Sequence, residues 1–247
     1  MKAVIKEFLP PVFLRVYRKI RRTLEGSATP PATTQQAASV IARAGDSTKQ
    51  DLDVYWDLDM AAMLETWGKD HVWNEIQMLL VGKKGKALDI ACGTGITIEI
   101  MSKYKDLEIY GNDISDLLID KAVERGIDKK YLLVCDATNM PQYPDDFFDY
   151  SYSIGSLEHF TEEGIAQFVS EVHRITKYGT YHMMPTSRAG KNEGWIKRTQ
   201  SYFNNSEQWW IDKFKTRYSS VHAINSGWKD EISIGKWFVG IKNDDKA

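Results

Sequence analysis

The sequence predicts an α/β fold, a mostly parallel sheet with helices on both faces. Three observations carry that expectation. From about residue 83 short apolar runs alternate with amphipathic stretches. A glycine loop, Gly93-Thr94-Gly95, joins the first run to the first amphipathic stretch. Acids, Asp113 and Asp136, stand at the ends of the next two runs. Parallel neighbours cannot be joined by a tight turn and need a crossover, usually a helix, so strict alternation of the two periodicities implies a parallel sheet.

Taken in order, residues 86–91 form the first strand and 96–103 the first helix. A second strand spans 107–112 and a second helix 117–125. Residues 131–135 make the third strand and 148–154 the fourth, with a helix over 162–175 behind it. A fifth strand covers 180–184. Residues 219–225 and 234–241 read as two further strands that close one sheet edge as an antiparallel pair. Ahead of the sheet, 55–80 carries Trp56, Leu64, Trp67, Val72, Trp73 and Ile76 at roughly helical spacing, which predicts one or two helices.

The organisation that follows has four parts. Residues 1–23 form a basic amphipathic helix: Val12, Phe13, Val16, Tyr17 and Ile20 share a stripe after Pro10-Pro11, and Arg15, Arg18, Lys19 and Arg22 lie mostly opposite. This stripe suits peripheral contact with an anionic membrane. Residues 24–49, rich in Ser, Thr, Pro and Ala, are a linker with a short helix near 39–44. Residues 50–82 are a helical cap. Residues 83–247 are the main domain, with a lid-like insertion at 187–218 whose aromatic rings alternate with amides, hydroxyls and cations.

Composition bounds the function. A net charge of −2 over 247 residues gives no global reason to expect nucleic-acid binding. Two cysteines, Cys92 and Cys135, are too few for a disulfide framework and lack the clustered partners of a zinc site. Reduced thiols in a cytoplasmic protein are expected. No run of about 18 apolar residues exists, and the N-terminus lacks the pattern of a secretory signal.

The chemistry concentrates at strand ends. In Asp89-Ile90-Ala91-Cys92-Gly93-Thr94-Gly95 the glycines allow a sharp turn and close approach of a ligand. The helix start beyond offers unpaired amides suited to a carboxylate. A dinucleotide fingerprint would want a third small residue where this chain has Ile98, which counts against a nucleotide-dependent oxidoreductase. In an open α/β sheet ligands bind outside the carboxyl ends of the strands, so Asp89, Asp113 and Asp136 converge on one crevice.

Together Asp89-x-x-x-Gly93-x-Gly95, Gly111-Asn112-Asp113-Ile114-Ser115 and Asp136-Ala137-Thr138 resemble the successive motifs of class I S-adenosylmethionine-dependent methyltransferases. The resemblance implies a Rossmann-like, seven-stranded, mostly parallel sheet and S-adenosyl-L-methionine as cofactor. It implies that Gly93 and Gly95 approach the methionine part, that Asp113 holds the ribose and that Asp136 approaches adenine. Asp89, Ala91, Cys92, Ile114 and Ala137 complete the expected cofactor set. The Glu158-His159 pair after the fourth strand resembles one found in many small-molecule methyltransferases, and makes these two the candidate catalytic residues. Some related quinone-biosynthesis enzymes carry a further upstream acid thought to bind a metal; this chain has Gly155 there, so no metal is expected. For the acceptor, Tyr152, Ser187, Trp195, Tyr202, Trp209 and Trp210 are the candidates, since aromatic faces flanked by polar groups suit sugars and other amphipathic ligands.

Residues 50–247 further resemble methyltransferases of bacterial surface-polysaccharide (lipopolysaccharide and O-antigen) synthesis, through Glu65-Thr66-Trp67-Gly68, Trp73-Asn74-Glu75-Ile76, 150–160 and Gly235-Lys236-Trp237-Phe238. That likeness implies O-methylation of a sugar or glycan precursor at the inner face of the membrane. The competing expectation is a non-catalytic cofactor-binding or scaffold protein with the same fold.

Overall fold

A computed structural model describes residues 42–43, 49–198 and 200–242. The basic segment 1–23 and most of the linker lie outside the described residues. The principal sheet has seven strands. They are β2 (Gly85–Ile90), β3 (Leu107–Asp113), β4 (Leu132–Val134), β5 (Phe148–Ile154), β6 (Thr176–Ser187), β9 (Ser220–Lys229) and β10 (Ser233–Ile241), in the order β4-β3-β2-β5-β6-β10-β9. The pairs β2/β3, β3/β4, β2/β5 and β5/β6 are parallel, and β10 runs antiparallel to both β6 and β9. The strand order reverses between β2 and β5, and a crevice opens at such a switch point.

Five helices sit where the 3.6-residue pattern places them: α1 (Leu58–Leu64), α2 (Val72–Leu79), α3 (Ile96–Met101), α4 (Asp116–Glu124) and α5 (Glu162–Ile175); a further one, α6 (Glu207–Lys215), lies in the insertion. Their starts are chemically marked. Ser115 caps α4 by accepting from the Leu118 amide at 3.3 Å, Thr161 caps α5 through the Gly164 amide at 3.0 Å, and Ser206 caps α6 through the Trp209 amide at 3.2 Å. One core cluster gathers Leu88, Ile90, Phe148, Phe168, Val172, Trp210, Phe214 and Phe238, and a second gathers Val72, Ile76, Ala87, Ile98, Met101, Tyr150 and Trp237. The sheet is therefore buried on both faces, as parallel sheets are.

Three differences from the sequence reading have local causes. β6 runs twelve residues, because β10 pairs with it from Gly179 to Ser187 and carries it through Pro185. Ala42–Arg43, placed in a short helix by sequence pattern, pairs instead as strand β1 with Ile196–Lys197. The insertion after β6, read from sequence only as lid-like, begins as a hairpin of β7 (Trp195–Lys197) and β8 (Ser201–Phe203).

The cap crosses the crevice and is tied down at both ends. Asp51 Oδ2 accepts from the Ser201 amide at 2.9 Å. On the other side the Ser115 hydroxyl donates to the Tyr55 carbonyl at 2.6 Å, and the Trp56 indole donates to Asp116 Oδ1 at 2.7 Å. Further along, the Glu75 carboxylate on α2 accepts from the Trp237 indole at 2.7 Å and from the Gly227 amide at 2.6 Å.

Candidate active site

A cleft of about 950 Å³, counted to its open mouth, lies over the carboxyl ends of β2, β3, β4 and β5. Its floor begins at the loop after β2. Ala91, Gly93 and Gly95 all take positive φ (55°, 56° and 76°), which turns the chain sharply into α3. A side chain at Gly95 would stand 2.4 Å from Ile127 Cδ1 and 2.9 Å from the Ala122 Cβ, so that glycine serves packing against α4. Arg125 fixes the loop from outside: its Nε donates to the Thr94 carbonyl at 3.0 Å, Nη1 pairs with Glu99 at 2.7 Å, and Nη2 pairs with Glu65 of the cap.

Of the nine residues expected to hold the cofactor, Asp89, Ala91, Cys92, Gly93, Asp113, Ile114, Asp136 and Ala137 line this cleft, and Gly95 does not. Asp113 is buried. Its Oδ2 accepts from the Gly93 amide and its Oδ1 from the Ser115 amide, each at 2.9 Å. Burial pushes its carboxyl up to about 6, against the pull of those amides. Asp89 is also buried, accepts the Thr97 hydroxyl, and is pushed up to about 7 by burial. Asp136 is exposed and closes a turn by accepting from the amide and hydroxyl of Thr138 at 2.8 and 2.7 Å. No Lys, Arg or His is among the described residues that line the cleft.

Glu158 and His159 sit in a 3-10 turn, Leu157–His159, behind the wall that Ser156 and Phe160 present to the cleft. His159 Nδ1 lies 2.8 Å from the Ser201 carbonyl. A carbonyl only accepts, so Nδ1 carries the proton and Nε2 keeps its lone pair. That Nε2 is 3.8 Å from Glu158 Oε1. Burial holds the imidazole below its ordinary value, opposed by the Ser201 contact. The Glu158 carboxyl is pushed up to about 8 by burial, and its Oε2 is enclosed without a hydrogen-bond partner. Its Oε1 lies 3.7 Å from where a Gly155 side chain would begin, so the carboxyl reaches the cleft wall at that glycine.

The acceptor candidates are dispersed, which corrects the sequence reading. Trp210 is fully buried in the core, and Trp195 and Phe203, paired across the hairpin, join the same cluster. Trp209 is half-buried under Lys213, 4.6 Å from its ring. Tyr202 stands 6.1 Å from the His159 ring and backs it. Tyr152 is buried beside Asp89, and the Ser187 hydroxyl donates to Glu193 at 2.8 Å. None of the six lines the cleft. For Trp195 the reason is period: alternate residues of a hairpin face opposite ways, and Trp195 with its partner Phe203 takes the side that excludes water. The aromatic lining comes instead from Tyr55, Trp67 and Trp73 of the cap and from Phe160. Trp67 packs on Gly155, where an added side chain would stand 2.8 Å from its ring. Tyr55 has its phenol held well above the usual range by burial and by the Glu158 and Asp113 carboxyls. Sequence periodicity marks the cap rings only as apolar; the signal for their role is their place ahead of the glycine loop. His182 is buried 5.3 Å from the Phe214 ring, and His173 is half-buried against Tyr218.

The fold and this cleft are similar to those of S-adenosylmethionine-dependent methyltransferase domains. Residues 88–184 match the family model of the methyltransferase domain. Over 115 residues the chain is 29% identical to the sterol 24-C-methyltransferase of Neurospora crassa, covering 43% of this chain and 30% of that protein. The chain thus matches less than a third of the length of that relative. Among solved structures, a SAM-dependent methyltransferase from Aquifex aeolicus superposes with a TM-score of 0.55 at 17% identity, over 74% of this chain and 98% of that one. The 1,6-didemethyltoxoflavin-N1-methyltransferase of Burkholderia thailandensis, bound to 1,6-didemethyltoxoflavin and S-adenosylhomocysteine, superposes with a TM-score of 0.64 at 11% identity, over 86% and 99%. At those identities the structures attest the fold. Among the described residues no group of three or more His, Cys, Asp or Glu could hold a metal, and no helix is long and apolar enough to cross a membrane.

The residues fit the cofactor. Three aspartates and no described cation face a cleft that would receive a sulfonium, and two of the three, Asp89 and Asp113, are buried with raised carboxyls that a nearby positive charge would ionise.

Proposed function

We propose that this protein methylates a hydroxyl of an uncharged, ring-bearing acceptor, a saccharide or saccharide precursor of surface-polysaccharide synthesis. The observation that carries the reading is the cleft wall of Tyr55, Trp67 and Phe160, with the Glu158 carboxyl reaching Gly155 through Oε1 while its Oε2 is enclosed without a hydrogen-bond partner. Aromatic faces take the apolar side of a sugar and the carboxyl takes its hydroxyl. The surface-polysaccharide strings quoted above support the same class.

When bound, the cofactor supplies an electrophilic methyl on a sulfonium that leaves as a neutral thioether. Alignment of donor and acceptor does much of the work. Asp113 and Asp136 lie at the strand ends suited to ribose and adenine, and Ala91 to Gly93 would hold the methionine part. Glu158 and His159 act as one proton relay. Glu158 Oε2 would take the proton of the acceptor hydroxyl as that hydroxyl is methylated. The proton already on Oε1 passes to His159 Nε2, once the 3.8 Å separation closes to hydrogen-bond reach. The imidazolium then returns its proton to water.

Incubating the purified protein with isotopically labelled S-adenosylmethionine and a panel of saccharide, sterol and amine acceptors tests this directly. Label on a saccharide oxygen, located by mass spectrometry, is the expected result. Transfer to a sterol or an amine and to no saccharide would replace the proposal. Cofactor binding without transfer to any precursor from cell extracts would point to the scaffold reading.

The basic stripe of residues 1–23 extends the proposal to peripheral contact with an anionic membrane, each nearby cation adding about 1 kcal/mol. The full chain should co-sediment with vesicles of anionic lipid, and a chain lacking residues 1–23 should not. Equal sedimentation would reject the contact.

A further inference from the structure

Asn112 is the penultimate residue of β3, lines the cleft, and is fully buried. Its backbone carbonyl accepts from the Cys92 amide at 2.9 Å. Its side chain is different: apart from the Cys135 thiol beside it, neither Oδ1 nor Nδ2 has a hydrogen-bond partner. A buried amide so poorly satisfied is costly in a folded protein, and each such group calls for a cause. The surroundings supply no relief. Cys135, beside the amide, is only a weak partner. The remaining neighbours at this end of the cleft include Ala137, which is apolar, and Asp136, one of whose oxygens closes the turn with Thr138.

An amide presents one donor and one acceptor side by side. The edge of adenine presents the complement, an amino donor beside a ring-nitrogen acceptor, and asparagine pairs with that edge in bidentate fashion. We infer that Asn112 is the residue that reads the adenine edge of the cofactor, leaving Asp136 to shape the loop beside it. The inference rests on the reading of this cleft as the cofactor site and adds to it the group that selects the base. The energetic logic is specific. The free protein carries an unsatisfied amide, and binding relieves it, so part of the affinity comes from removing a penalty already present in the empty site.

The substitution Asn112→Leu, similar in size and without polar atoms, separates the alternatives. Calorimetric titration with S-adenosylhomocysteine should show affinity falling about 10- to 100-fold relative to the unsubstituted chain, the span of a lost bidentate base contact. Titration with 5′-methylthioadenosine, which keeps the nucleoside and lacks the amino acid, should show the same factor. The melting temperature of the free variant should hold or rise, because the unsatisfied amide is gone. Equal affinity for both ligands in the two proteins would overturn the inference. So would a free variant that melts several degrees lower, since the amide would then be satisfied in the empty protein, for instance by an enclosed water. Asn112→Val, which suits a strand, carries the same expectations should the leucine variant fail to fold. Failure of the unsubstituted chain to bind S-adenosylhomocysteine would instead count against the cofactor site itself.

Discussion

His159→Asn should lower turnover about 10²- to 10⁴-fold, the usual span for loss of general-base help, while S-adenosylhomocysteine affinity stays level. Asparagine can keep a hydrogen bond to the Ser201 carbonyl, but has no nitrogen that takes a proton at neutral pH. Glu158→Gln should cost a similar factor, because an amide cannot pass a proton from one end to the other. The double variant should be little worse than either alone, as for residues that work as one unit. The pH dependence follows from the two environments. Relay needs His159 neutral, and burial holds it below the ordinary imidazole value, so the acid limb should fall below about 6.5. It also needs Glu158 protonated, and that carboxyl is pushed up to about 8, so the rate should fall again as pH rises through that value. Near-normal turnover of His159→Asn with an unchanged profile would remove the relay and leave alignment as the whole mechanism.

Asp113→Ala should weaken S-adenosylhomocysteine binding by about 2–4 kcal/mol, read by calorimetry with the fold verified by circular dichroism. The structure gives this carboxylate a task beside its proposed contact with the ribose. It holds the amides of Gly93 and Ser115, so its loss frees the glycine loop and leaves two buried donors without partners. Asp113→Asn retains only one acceptor oxygen and should recover only part of the affinity. The titration of the group adds a second reading. Its folded value is about 6 against 3.8 for an ordinary aspartate, so the folded chain holds a proton that the unfolded chain has released. Through this group the free protein loses stability as pH rises between those values, and Asp113→Ala should flatten that part of the stability curve. An alanine variant with unchanged affinity would show that Asp113 neither shapes the loop nor meets the ligand.

What was readable without coordinates follows from short-range physics. The strand at Phe148–Ile154 and the helix at Glu162–Ile175 fall where periodicity and the Thr161 cap put them, since both signals are complete within a few residues. The convergence of Asp89, Asp113 and Asp136 was equally legible, because parallel strands joined by helices present all their carboxyl ends to one side. The acceptor wall was not. Trp195, Tyr202, Trp209 and Trp210 are as aromatic as Tyr55, Trp67 and Phe160, and composition cannot say which set faces a ligand. That choice depends on the hairpin register, which turns Trp195 and Phe203 into the core, and on a cap anchored by contacts sixty and more residues apart.

The sequence by itself determined the α/β class, the seven strands and the sheet end where Asp89, Asp113 and Asp136 converge, because each rests on local periodicity, turn chemistry and the handedness of crossovers. Tertiary structure alone decided three things. It left the Asn112 amide with no partner but the Cys135 thiol, brought Glu158 to 3.8 Å from His159, and gave the aromatic wall to the cap. The first and third depend on which side chains meet across long stretches of chain, and the second on the Ser201 carbonyl, 42 residues away, that holds the His159 ring; all are fixed by the packing of whole elements against one another.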